Sequence, residues 1–186
     1  MKSLSRWLYT ISSGKVALAA LLVFVLFMVF VLPGQAAKAE ETAAGAGSPD
    51  TTFLYGTDEL YQMAEAYGPE GRAAYIRARF TFDLIFPVVY GLFLLTSVSW
   101  AGTHALEAGS VWRLLNGIPL LAVVFDLLEN IGASMVMARY PARTPIVDIL
   151  TPLCSVLKWG FISIAFALLP AFLSLALWKA SRSDHP

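Results

Sequence analysis

Four apolar stretches, each of seventeen residues or more, dominate this chain: residues 16–32, about 80–100, 114–138 and about 149–178. A hydrocarbon core of ~30 Å takes about 20 helical residues to cross. Lipid offers no partner to a backbone N–H or C=O, so an open chain crosses it as a helix. Charged residues make up 14% of the chain, well below the roughly 25% of soluble domains. The expected fold is all-α. It is one membrane domain over residues 1–186, an integral membrane four-helix bundle. The connections 101–113 and 140–145 are short, which implies antiparallel neighbours.

The first stretch, Val16 to Leu32, has no polar side chain. Ala37-Lys38-Ala39 follows it and fits a signal-peptidase site, but the apolar run exceeds the usual 7–15 residues of a signal core. An uncleaved anchor is the expectation; cleavage, leaving three helices, is the alternative. Lys2, Arg6 and Lys15 precede the first stretch, and Lys179 and Arg182 follow the last. Basic residues favour the cytoplasm, so both termini are placed there, in the plasma (inner) membrane.

The first extramembrane loop, residues 33–79, is the largest. Its start (AAKAEETAAGAGSPD) is small and polar and reads as mobile. Residues 57–68 read as a short amphipathic helix, with Thr57 as cap and Asp58 and Glu59 in the first turn. Leu60, Met63, Ala64 and Tyr67 recur at helical spacing. Gly68 and Pro69 then stop it, and a second helix is expected to start there and run on into the membrane.

Inside the third stretch stand Asp126, Glu129 and Asn130. An acidic residue near the centre of a membrane helix costs ~2.5–3.5 kcal/mol on insertion scales. A chain that keeps one turns it inward and gives it a partner. Spacing supplies candidates. Arg79, Asp83 and Tyr90 share one helical face, and Asp148, Thr151, Ser155 and Lys158 share another. At 1.5 Å per residue, Asp83 lies ~9 Å, Glu129 and Lys158 ~13 Å, Asp126 ~18 Å and Tyr90 ~19 Å from the same membrane face. One shared site in one half of the bilayer is therefore expected. Three acids set against Lys158, with or without Arg79, leave excess negative charge, so at least one is expected to keep a proton at neutral pH. Pro87, one turn after Asp83, frees a backbone carbonyl beside this site.

Three functions fit such a cluster. The first is a pocket that binds or processes a lipid-like or small amphiphilic ligand. In it Glu129 and Asp126 would serve as acid and base, and Asp83, Arg79, Tyr90, Asn130 and Lys158 would hold the ligand. The second is a network that only fixes helix register in an assembly or scaffold protein. The third is a proton- or ion-coupled carrier acting as an oligomer, since four helices are few for alternating access. Membrane lipid, a lipid-like ligand and a second copy of the chain are the expected partners. The net charge is zero, which suggests neither nucleic acid nor strong attraction to anionic lipid. One cysteine and two histidines, His104 and His185, cannot supply a usual zinc site, and no cofactor is expected. A metal held by Asp83, Asp126 and Glu129 is a minor alternative; carboxylates would suit magnesium, calcium or manganese. In size and four-helix plan, with acids inside the bundle, the chain is broadly similar to the sterol-isomerase and sigma-2-receptor type of membrane protein. That similarity carries no residue motif and transfers no residue role.

Overall fold

The computed structural model describes residues 2–43 and 45–183. His185 lies outside them. Among the described residues there are helices and no strand. We label α1 Lys2–Ile11, α2 Gly14–Ala43, α3 Thr57–Ala66, α4 Gly68–Arg79, α5 Phe82–Ala105, α6 Ile118–Arg139 and α7 Val147–Ser183. A 3-10 helix, Val111–Gly117, leads into α6.

Four helical stretches are long and apolar enough to span a membrane: α2, α4 with α5, the 3-10 helix with α6, and α7. Large apolar side chains of α2, among them Leu18, Val23 and Phe30, are exposed. Side chains of this kind have no use for water, and lipid covers them without cost.

The first helix runs further than its apolar residues suggest. Pro33 has no N–H to give to the carbonyl one turn back. The turn before it, Phe27–Val31, widens to π geometry, and Leu32 donates to the Phe27 carbonyl. The helix thus passes Pro33 and ends at Ala43. Residues 36–43, expected to be mobile, are helical, and Ala37-Lys38-Ala39 sits within that helix.

Two other boundaries differ from expectation. Gly56, not Thr57, caps α3. Its N–H donates to the Glu59 carboxylate at 2.6 Å, while the Thr57 hydroxyl donates to the Asp148 carbonyl at 3.0 Å. The third span begins as a 3-10 helix, and its α-helical part starts at Ile118 with Pro119 in the first turn, where a missing N–H leaves no helical bond unmade. Gly68 acts as expected. Its φ of 60° is open to glycine at little cost; α3 ends before it and α4 starts with Pro69 in its first turn.

The chain divides into two compact units, and the division falls within the long helices. The first holds residues 1–25, 89–122 and 160–186; the second holds 26–88 and 123–159. The first unit packs Val98, Ala101, Ala105 and Phe172 with Leu115 and Leu168. In it Ser5 donates to the Asn116 side chain at 2.7 Å, and Asn116 donates to the Ser5 carbonyl and the Ser99 hydroxyl at 3.2 and 3.1 Å. These bonds dock α1 on the 3-10 helix. The second unit packs Leu60, Ala64, Tyr67 and Tyr75 with Ala133, Val136 and Met137. Gly132 of α6 faces Thr151 of α7 so closely that a Cβ would collide with the Thr151 hydroxyl. Small residues of this kind let membrane helices approach.

Candidate functional site

The second unit gathers most of the polar residues singled out by spacing. Lys158 is 2% exposed and Glu129 1%. The Lys158 ammonium lies 2.5 Å from Glu129 Oε2 and 3.9 Å from Asp126 Oδ1. Arg79 Nε meets Asp83 Oδ2 at 2.9 Å. This i,i+4 pair bridges the break between α4 and α5, where Thr81 turns its hydroxyl onto the Arg77 carbonyl. The Arg79 guanidinium also lies over the Tyr75 ring, 4.5 Å from its centre. Asp148, Thr151 and Ser155, which share the Lys158 face of α7, are buried as well.

Two members were not expected. Asp50, in the loop before α3, joins the two cations. Its carboxylate meets Arg79 at 3.0 Å and Lys158 at 3.5 Å, and its backbone carbonyl accepts from Lys158 at 3.2 Å. Burial pulls the Asp50 carboxyl upward, but Arg79 and Lys158 outweigh it and hold it below its ordinary value. Tyr55, from the same loop, donates to Glu129 Oε1 at 2.9 Å. Burial first, and the Glu129 carboxylate second, raise the Tyr55 phenol, so it stays a donor. The signal for both was faint: Ser48-Pro49 marks a turn, and the apolar triplet Phe53-Leu54-Tyr55 follows it.

Asn130 closes the other side. Pro87 cannot donate to the Asp83 carbonyl, and the Asn130 amide does so instead, at 3.3 Å. Tyr90 is buried on α5 but belongs to the first unit.

Four carboxylates, Asp50, Asp83, Asp126 and Glu129, thus face two cations, Arg79 and Lys158. Carboxylate oxygens of Asp50, Asp126 and Glu129 lie within 4.8 Å of one another, a spacing that a metal ion could bridge. The chain supplies its own cation there, because the Lys158 ammonium reaches all three. Asp83, expected among the metal-binding acids, turns instead to Arg79.

A cavity of about 420 Å³ opens beside the cluster. Leu32, Ala36, Ala39 and Phe82 give it apolar walls, interrupted by Gln35, Lys38 and Glu41 of the same helix as the alanines, and Asp50, Arg79 and Asp83 give it a charged floor. Asp126, Glu129 and Lys158 are not among its lining residues.

No family profile, curated protein or solved structure matches the chain.

Proposed function

We propose that this is a small multi-pass membrane protein that binds a lipid-like or small amphiphilic ligand in its second unit. In this reading the four long helices form an antiparallel bundle in the plasma (inner) membrane, with both termini in the cytoplasm. The observation that carries it is the cavity: apolar walls over a floor of Asp50, Arg79 and Asp83. Binding sites for small molecules combine such walls with a few placed polar groups. The ligand head would meet Arg79 and Asp50, and its tail would lie along Leu32, Ala36 and Ala39. Entry is past the end of the first long helix, between Leu32 and Thr42, which lines the cavity.

This reading gives Asp126 and Glu129 a positioning task rather than an acid–base one. They fix Lys158, Lys158 fixes the Asp50 loop, and Asp50 presents its carboxylate to the cavity. The same pairing supports a second reading, in which the network only sets helix register. Ala39→Trp separates the two, since it fills the cavity wall without touching an ion pair. Native mass spectrometry of the protein in mild detergent is expected to find a small-molecule adduct on the wild type and none on Ala39→Trp, at an unchanged melting temperature. Absence of an adduct from both would favour the register-only network.

A further inference from the structure

The zero net charge conceals an asymmetry. The first unit holds six basic residues, Lys2, Arg6, Lys15, Arg113, Lys179 and Arg182, against two acids, Glu107 and Asp184. The second holds seven basic residues against eleven acids. Neutrality of the whole chain is thus a cancellation between a basic unit and an acidic one.

The basic unit also carries exposed tryptophans beside its arginines. Trp7 follows Arg6, Trp112 precedes Arg113, and Arg182 lies 4.1 Å over the ring of Trp178. All three indoles are more than half exposed, at 56%, 63% and 51%. Tryptophan belongs at the boundary between lipid and water, and arginine can reach headgroups from there. Helix α1 is amphipathic to match. Ser5 and Leu8 face inward, while Leu4, Trp7 and Ile11 form an exposed apolar stripe.

Beside that stripe is a cleft of about 710 Å³ lined by Arg6, Tyr9, Thr10, Thr103, Ser110 and Arg113. Arg113 is held in place by its neighbours. Its Nη2 donates to the Leu106 carbonyl at 2.9 Å, and its guanidinium lies over the Tyr9 ring, 4.7 Å from the centre. Tyr9 in turn donates to the Arg113 carbonyl at 3.0 Å. The Nε of Arg113 is buried and has no hydrogen-bond partner among the described residues, so the Nη groups are the ones that face a ligand. Among the described residues no carboxylate pairs with this guanidinium.

We infer that this cleft binds the phosphate of an anionic lipid headgroup, with Leu4, Trp7 and Ile11 seated in the adjoining membrane interface. Arginine suits phosphate because its planar fork donates two N–H groups at once. The Ser110 hydroxyl, which accepts from the Trp112 N–H at 3.3 Å, supplies a further donor. A lipid fits better than a soluble phosphate because the basic cleft and the apolar stripe are side by side. All residues involved belong to the first unit, so the inference stands apart from the amphiphile reading.

The test is native mass spectrometry of the full chain in mild detergent, titrated with phosphatidylglycerol or with phosphatidylcholine of equal chain length. Phosphatidylglycerol is expected to bind at least tenfold more tightly. Arg6→Gln and Arg113→Gln are each expected to lower its affinity about fivefold, the effect of one basic residue at an anionic surface. Asp50→Asn, in the other unit, is expected to leave it unchanged. Arg6 is exposed, so its variant keeps the test valid should Arg113→Gln fail to fold. Equal binding of the two lipids, or full binding by Arg6→Gln, would overturn the inference. So would displacement of the lipid by millimolar inorganic phosphate with the melting temperature maintained, which would point to a soluble phosphate as the ligand.

Discussion

Asn130 donates its amide N–H to the backbone carbonyl of Asp83, 3.3 Å away, and that carbonyl is the one Pro87 leaves without a helical donor. A side chain on α6 thus completes the backbone of α5. Asn130→Ala is expected to strand the carbonyl and to lower stability by about 1–3 kcal/mol. Pro87→Ala restores the missing N–H, so it is expected to recover much of that loss in the Asn130→Ala background. Thermal unfolding in detergent across this double-mutant cycle checks it; simple additivity of the two effects would break the link.

Lys158 is the shared counter-charge of three carboxylates. Lys158→Met leaves them facing one another without it. A loss of about 3–5 kcal/mol is expected, the range for breaking a buried ion pair from one side. Glu129→Gln added to Lys158→Met removes one of the stranded charges and is expected to restore part of the loss. An unchanged melting temperature in Lys158→Met would show that the contacts carry no stability.

Four acids against two cations imply a retained proton. Infrared spectra at pH 7 are expected to contain a protonated carboxyl band, and Asp126→Asn or Glu129→Gln is expected to remove or shift it. Spectra showing every carboxyl ionised would rule the retained proton out.

The loop residues set the pH profile. Asp50 is held below its ordinary value, so the unfolded chain takes up that proton first as pH falls. Its contribution is full above the unfolded carboxylate value of about 3.9 and is lost as pH falls through the lower, folded value. Tyr55 is raised, so its contribution is full below about pH 10 and is lost as pH rises beyond that. Asp50→Asn is expected to flatten the acid limb of a stability–pH curve, and Tyr55→Phe the alkaline limb. Limbs of unchanged slope in these variants would mean that neither group is linked to folding.

Gly132 of α6 lies directly against Thr151 of α7. Gly132→Leu must displace Thr151, whose hydroxyl is tied to the Val147 carbonyl at 2.7 Å. A destabilisation of about 1–3 kcal/mol is expected for such overpacking, read as a drop in melting temperature. Gly160, with nothing near its Cβ position, is the control and is expected to tolerate alanine.

Hydropathy made the four long helices legible, because backbone satisfaction in lipid leaves few alternatives. Helical spacing paired Arg79 with Asp83 and marked the carbonyl freed by Pro87, and depth along the helices put Glu129 level with Lys158. Spacing could not find Asp50 or Tyr55, because a loop has no periodicity and its reach depends on its fold. Nor could it foresee the passage of α2 beyond Pro33, where a widened turn absorbs the missing donor. The net charge says little by itself, since a sum over the chain discards where the charges are.

The order of the chain adds a consequence to the role of Lys158. Asp50, Asp83, Asp126 and Glu129 all precede it in sequence, and it arrives on the last long helix. During synthesis the four acids are made with only Arg79 to balance them. A chain truncated before α7 is left with four acids and one cation in this cluster. Addition of α7 supplies the second cation, so the cluster gains its balance in the order in which its helices are made.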